Sequence, residues 1–365
     1  MERYNFNITI LDRYIIRKFI GTFFFALLLI IAIVIIFDIS EHIDDFVDNH
    51  APIGKIIFNY YGNFIPYFMN MFSPMFVFIT VIFFTSKLAA NSEIVAMLAG
   101  GISFKRLMYP YFVSASVIAI FSLVLNLFII PPANKGRQAF QAQYIKTKFE
   151  NSNRNMHYQM SPGNFLYVES FSVWNNTAYK FSIESIKEHK IVSKLTAESA
   201  AWDSLKGCWN LKNYHWRKFV NGSEIIKTGP KLDTAIVITV QDFRQRKNIV
   251  EELNYFQLND LIETQRLRGD QMVKYALIEK HTRLAMPFSA FVLTLIGVSL
   301  SSKKRRGGIG MNIGIGIALS FSYILFLRFS QMFVHTGAMP PGLALWLPNI
   351  LYAVIAAFLY RIAPK

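Results

Sequence analysis

One cysteine, Cys208, stands in 365 residues, which excludes an intramolecular disulfide and any cysteine-based metal cluster. Charge is scarce as well. Charged residues make up 17% of the chain, against about 25% in an ordinary soluble domain. No GxxxxGK[ST] loop occurs, so ATP is not bound by that device. Neither HExxH nor GxSxG occurs, and the seven histidines show no ligand spacing. The glycine-rich "GGIGMNIGIG" (Gly307 to Gly316) is out of register for GxGxxG and opens an apolar run instead of following a strand, so it is not a dinucleotide loop. The chain is therefore expected to carry no catalytic machinery, no metal and no cofactor of its own.

What is abundant is apolar surface. Hydrophobic residues make up 53% of the chain, phenylalanine alone occurs 34 times, and the mean hydropathy is +0.31. That is the composition of a membrane protein. Crossing about 30 Å of hydrocarbon takes about 20 apolar residues in a helix. Six runs qualify: Phe19 to Phe37, Ile56 to Ser86, Leu107 to Ile130 (followed by Pro131-Pro132), Leu284 to Leu300, Ile309 to Val334, and Leu343 to Tyr360. "RYIIRKF" precedes the first, but "DISEHIDDF" follows it where a cleaved signal needs small residues, so a retained membrane helix is expected.

Basic residues set the orientation. Arg13, Arg17, Lys18, Lys87, Lys105, Arg106, "KKRR" (Lys303 to Arg306), Arg361 and Lys365 all fall on one side if the six spans alternate. The opposite short loop carries Glu41, Asp44, Asp45 and Asp48 against Lys55. The positive-inside rule then puts both termini in the cytoplasm. Anchoring at span ends accounts for the net charge of +15. No basic stripe is interleaved with stacking aromatics, so no nucleic acid is expected as a partner.

Three regions follow: residues 1–132 with spans one to three, a soluble insertion over 133–270 on the far side, and residues 271–365 with spans four to six. The insertion reads as β. "NFLYVESFSVW" and "TAYKFSIESI" alternate aromatic and β-branched residues with polar ones, and Lys206-Gly207 and Asn221-Gly222 are hairpin cues. Trp202, Trp209, Leu211, Trp216 and Phe219 are candidates for a core or a lipid groove. "GRQAFQAQYIKTKF" and "LNDLIETQRLRGD" read as helical connectors.

Between spans two and three lies "NSEIVAMLAGGISFKR". Asn91 or Ser92 caps a short helix, Glu93 suits its positive end, and Gly100-Gly101 stops it. Ile94, Met97 and Leu98 share one face, which needs a cover: the lipid interface or a soluble partner. Within the spans, Asp38, Arg283, Arg328 and Gln331 are costly to bury without a role. An internal Arg328–Asp38 salt bridge is one explanation, a polar substrate lumen the other. Gly310 and Gly314 suit close helix packing.

"LDRYIIRKF", "NSEIVAMLAGGIS" and "HTGAMPPGLALWLPN" together resemble the LptF/LptG (YjgP/YjgQ) lipopolysaccharide export permease family across nearly the whole chain. "LDRY" and "GNFLYVES" look more like LptG. The resemblance implies an α-helical membrane protein with six transmembrane helices and an inserted periplasmic β-jellyroll domain, set in the bacterial inner membrane. It implies a non-enzymatic permease subunit of an ABC transporter that extracts lipopolysaccharide or lipooligosaccharide. The implied partners are an LptB-like ABC ATPase dimer, which supplies ATP and Mg, a second, LptF-like permease, an LptC-like periplasmic bridge protein, and membrane lipids. In that light residues 91–101 match the ATPase-coupling helix, with Glu93 as its polar contact, and Arg283 matches a basic position that meets a lipid phosphate. Some family members carry lysines near the outer end of the first span where this chain has "FDISEHIDDF". A mechanotransmission-type permease and a membrane-embedded lipid-modifying enzyme share the outline.

Overall fold

The computed structural model describes residues 9–145, 154–188, 190–204, 206–220, 223–236, 238–243, 249–270, 272–302 and 308–363. In chain order the elements are α1 (Ile10–Asp48), α2 (Ile53–Ala90), α3 (Glu93–Ala99) and α4 (Phe104–Tyr144). Strands β1 (Arg154–Ser161), β2 (Asn164–Ser172), β3 (Thr177–Lys187), β4 (Lys190–Asp203), β5 (Cys208–Val220) and β6 (Ser223–Thr234) follow. The remaining helices are α5 (Val240–Phe243), α6 (Ile249–Glu252), α7 (Tyr255–Leu267), α8 (Val273–Ser301), α9 (Gly308–Thr336) and α10 (Pro341–Ile362). Among the described residues six helices are long and apolar enough to cross a membrane: α1, α2, α4, α8, α9 and α10. They coincide with the six apolar runs.

The chain divides into two compact units, and Met1–Lys146, Glu251–Tyr255 and Leu277–Lys365 form the helical one. Its α1 begins at a capping box: the Thr9 hydroxyl accepts from the Asp12 backbone N–H while the Asp12 carboxylate accepts from the Thr9 N–H. Phe19, Phe23 and Leu27 of α1 share a buried cluster with Val77 and Val81 of α2 and Tyr111 of α4. Polar groups in this apolar setting find one another. Ser122 Oγ donates to Asn70 Oδ1 at 2.6 Å, and Asn70 Nδ2 donates to Asn126 Oδ1 at 2.9 Å, tying α2 to α4.

Two spans contain a widened turn, Ile56–Tyr61 in α2 and Leu125–Ile129 in α4. Sequence alone puts the end of the third span at Pro131-Pro132. The helix instead runs through them to Tyr144, because the wide turn just ahead accommodates the missing proline N–H groups and the ring bulk. Close helix approach also lies elsewhere than expected. A Cβ at Gly297 would stand 2.7 Å from Val81, and one at Gly316 would collide with Ile82, whereas nothing lies within 4 Å at Gly310 or Gly314. Within this chain, Gly297 and Gly316 are thus the contact glycines of α8 and α9. The expected pair Gly310 and Gly314 is left open.

The second unit, Thr147–Val250 and Phe256–Ala276, holds the expected β-domain. Its six antiparallel strands lie in the order β1-β2-β3-β4-β5-β6, so the domain is built as a meander, with each strand bonded to its sequence neighbours. Alternate side chains make the core: Leu166 and Val168 of β2, Phe181 of β3, and Trp209 and Leu211 of β5, covered by Ile238 and Phe243. Trp209 Nε1 donates to the Ile238 carbonyl at 2.8 Å, which satisfies its one polar atom. Lys206-Gly207 makes the β4–β5 turn, with Gly207 at φ +62; Asn221-Gly222 lies outside the described residues. Trp202 packs against the core. Trp216 and Phe219, expected beside it, are exposed, because burial stops alternating along β5 after Leu211.

Candidate functional site

Two places in the helical unit combine built geometry with polar chemistry. The first is α3. Ser92, at φ +61, and Gly101, at φ +87, bracket it in the left-handed region; these two corners let the chain turn back between α2 and α4. Glu93 accepts from Asn91 Nδ2 at 3.2 Å, and the Tyr14 hydroxyl stands 3.5 Å from its other oxygen. Ile94 is fully buried, and Met97 and Leu98 pack on the same cluster, which also contains Ile15, Phe104 and Leu107. Of the face formed by Ile94, Met97 and Leu98, this chain's own helices cover Ile94 fully and Met97 and Leu98 in part. Ser92, Val95, Ala96 and Ala99 form the outward stripe, one residue per turn or nearly so, and Gly100 extends it.

A clamp ties α1 to α4 just after α3. Arg106, at the start of α4, donates from both terminal nitrogens to Asp12 of α1, at 2.7 and 2.6 Å. The Asp12 side chain is almost fully buried. Such a fork-to-fork pair is geometrically specific. It also means that one of the basic residues used to orient the chain is spent on an internal acid.

The second place gathers charges from four elements, Arg137 of α4, Glu251 of α6, Glu279 and Arg283 of α8 and Arg328 of α9, with Tyr67 of α2 against Arg137. The Arg137 guanidinium lies 4.7 Å from the Tyr67 ring centroid, and its Nε is buried without a hydrogen-bond partner. Arg283, only 2% exposed, donates to Glu279 Oε1 and to the Leu253 carbonyl, both at 2.7 Å. It and Asn134, which donates to the Glu251 carbonyl at 3.3 Å, hold the segment Glu251–Tyr255 to the helices. Arg328 bonds Gln331 at 3.3 Å. The Arg328–Asp38 pair considered from sequence is not formed: Asp38 accepts from the Tyr60 and Tyr61 hydroxyls at 3.2 and 3.0 Å, and the acid that Arg328 feels is Glu251.

Sequence reading reached Arg283, Arg328, Gln331 and Asp38 but missed Arg137, Glu251 and Glu279. Glu279 and Arg283 are four residues apart on a helix, a pairing signal that was readable. Arg137 and Glu251 sit in stretches that read as connectors, and only the fold brings them to the spans.

Burial pushes the Glu251 carboxyl up to about 7, repulsion from Glu279 adds to it, and Arg137, Arg283 and Arg328 pull the other way. The folded chain therefore holds this proton more tightly than the unfolded one, whose carboxyl has its ordinary value of 4.5. The ionised group costs stability above pH 7, and the cost is relieved as pH falls toward 4.5, on the order of 3 kcal/mol in full. Glu251→Gln should then raise the thermal midpoint of the detergent-solubilised chain at pH 8, and the gain should vanish by pH 5. A gain that grows toward pH 5 would show the opposite sign and refute the assignment.

The sequence matches the family profile described as Lipopolysaccharide export system permease LptF/LptG over residues 13–362. No curated protein matches the chain at a significant level. The matched stretch takes in all six membrane helices, α3 and the inserted sheet, and on that basis this chain belongs to the LptF/LptG family of lipopolysaccharide export permeases.

Proposed function

We propose that this chain is an LptG-type permease subunit of an ABC transporter. It lifts lipopolysaccharide out of the inner membrane and hands it to a periplasmic bridge protein, powered by a separate ATPase dimer and paired with a second permease. The observation that carries this reading is α3. A short helix between the second and third spans is anchored through Ile94, beside a clamp that ties α1 to α4, and it offers the small side chains of Val95, Ala96 and Ala99 to the outside. That suits insertion into a groove of a soluble ATPase, with Glu93 at the rim.

Other features support the partners. The rest of the chain covers only 22% of the most apolar stretch of α1 and of α9, against 67% for α8. Those two helices are where a second permease, or the lipid between the two, finds room, and Gly310 and Gly314 lie open on α9. In the β-domain β6 is an edge strand with Ile225 and Ile226 exposed, a surface suited to strand addition by a periplasmic bridge. Positive-inside charge supports a cytoplasmic α3 and a periplasmic sheet. Arg283, which the resemblance places at a lipid phosphate, is engaged within the protein, whereas its neighbour in the cluster, Arg137, has an unpartnered Nε.

The reading is tested by reconstituting the complex that co-purifies with this chain into proteoliposomes loaded with lipopolysaccharide. ATP should drive release to a soluble periplasmic acceptor at least tenfold faster than a non-hydrolysable analogue. Equal release with and without hydrolysis would overturn it.

A further inference from the structure

The β-domain has a second face. Opposite the core face, the pairing register sets His157, Tyr167, Ser182, Thr196 and His215 in one row across strands β1 to β5. These side chains line a groove of about 710 Å³, inside the range of about 300–1,000 Å³ for ligand sites. The permease mechanism does not use it.

Three observations indicate what it takes. Ser182 lines the groove, is only 9% exposed, and its buried hydroxyl has no hydrogen-bond partner, so the groove floor holds a polar group whose hydrogen bond is still unmade. The lysines of the groove are spent: Lys180 pairs with Glu169 at 2.5 Å and Lys194 with Glu184 at 2.7 Å. Glu198 accepts from Asn213 Nδ2 at 2.6 Å. An anion would meet these carboxylates without an unpaired lysine to compensate it, and an acyl chain would strand the polar row. Finally, His157 and Tyr167 stand ring to ring, with centroids 4.8 Å apart, and form an aromatic platform beside hydroxyls that both donate and accept.

We infer that this groove binds a short run of uncharged sugar units. Sugar hydroxyls are donors and acceptors at once, matching Ser182, Thr196 and Asn213, and the C–H face of a sugar ring suits the Tyr167–His157 platform. This rests on the reading of the chain as a lipopolysaccharide permease, since the sugar is that of the transported lipid. The role is to hold the saccharide portion on one face of the β-domain.

The test uses the full-length chain in lipid nanodiscs and calorimetric titration with an uncharged hexose oligosaccharide, free of phosphate and of acidic sugars, prepared from the outer saccharide of lipopolysaccharide. Wild type should bind it. Tyr167→Ala and Thr196→Trp, the second filling the groove, should each weaken binding at least tenfold. Because either change could disturb folding, His215→Ala, at an exposed rim position, serves as the third variant and should weaken binding at least threefold with an unchanged thermal midpoint. No binding by wild type, equal binding by all variants, or competition by millimolar inorganic phosphate would overturn the inference. Release assays on the same wild-type complex keep the two readings apart: ATP-driven release without oligosaccharide binding removes the sugar groove alone, and absence of release removes the permease reading.

Discussion

Ala96→Arg should strip the ATPase from this chain without unfolding it. The residue lies on the outward stripe of α3, with exposed Val95 and Ala99 beside it, so an arginine there meets no part of its own chain. At the centre of a groove-filling contact, a charge and a long side chain should cost about 2 kcal/mol or more, equivalent to about a 30-fold loss in affinity. Mild-detergent extraction with a tag on this chain, followed by quantitation of the co-purified ATPase, reads the loss directly. The thermal midpoint should stay within error of wild type. Ile94→Asp should act in the opposite sense, unfolding the α3 end of the bundle because it buries a charge in the cluster of Ile15 and Phe104. Glu93→Lys should fall between, since Glu93 is half-buried and held by Asn91. Wild-type amounts of ATPase on the Ala96→Arg chain would sink the docking assignment.

The contrast between Ile94 and Ala96 also shows what was legible beforehand. Sequence reading found α3, its glycine stop and its apolar face, and it found all six spans; the expected side-chain cap did not form, since Ser92 makes no capping hydrogen bond. Periodicity could not tell which face of so short a helix was already taken, because the cover comes from residues almost 80 positions upstream and 10 downstream, Ile15 and Phe104. Long-range pairing likewise hid the charge cluster. Arg283 and Arg328 stood out because charge inside an apolar run is conspicuous. Arg137 and Glu251 lie in polar sequence and become part of the cluster only once α4 runs past Pro131-Pro132 and the segment Glu251–Tyr255 returns to the helices. The glycines teach the same lesson on a smaller scale. Gly310 and Gly314 had the spacing, but the partner Ile82 sits against Gly316, and spacing carries no information about where the neighbouring helix crosses.

The geometry of α3 makes it a lever. Its buried side joins a cluster that draws on α1, α2, α4 and α8, so a push on the outward stripe is delivered to packed helices and not to a loop. Interiors of this kind transmit displacement because they are close-packed. Among the helices that receive it, α1 is one of the two least covered by the rest of the chain. On the proposed reading α1 is the helix that shifts when α3 is pushed.

On the proposed reading the Asp12–Arg106 pair, which ties α1 to α4 beside that cluster, helps carry the push to α1, and its removal should be the most damaging single polar change at this end of the helical unit. In Arg106→Ala the Asp12 carboxylate, 1% exposed, keeps only the Thr9 N–H and hydroxyl as donors among the described residues. Leaving a buried charge without its partner costs about 3–5 kcal/mol, and the Thr9 bonds place this case toward the lower end. Asp12→Ala should cost less, because Arg106 is 30% exposed and can reach water, though it also forfeits the capping box at the start of α1. The pair is isolated by the double variant Asp12→Ala/Arg106→Ala in a double-mutant cycle on the thermal or denaturant midpoint of the solubilised chain. A coupling of about 1–3 kcal/mol is expected, so the double variant should be more stable than the sum of the singles predicts. In the assembled transporter both single variants should still bind the ATPase, because the outward stripe is untouched, while ATP hydrolysis no longer drives lipid release. Strict additivity would show the contact to be incidental. Full transport by Arg106→Ala would show that the lever reaches α1 through apolar packing alone.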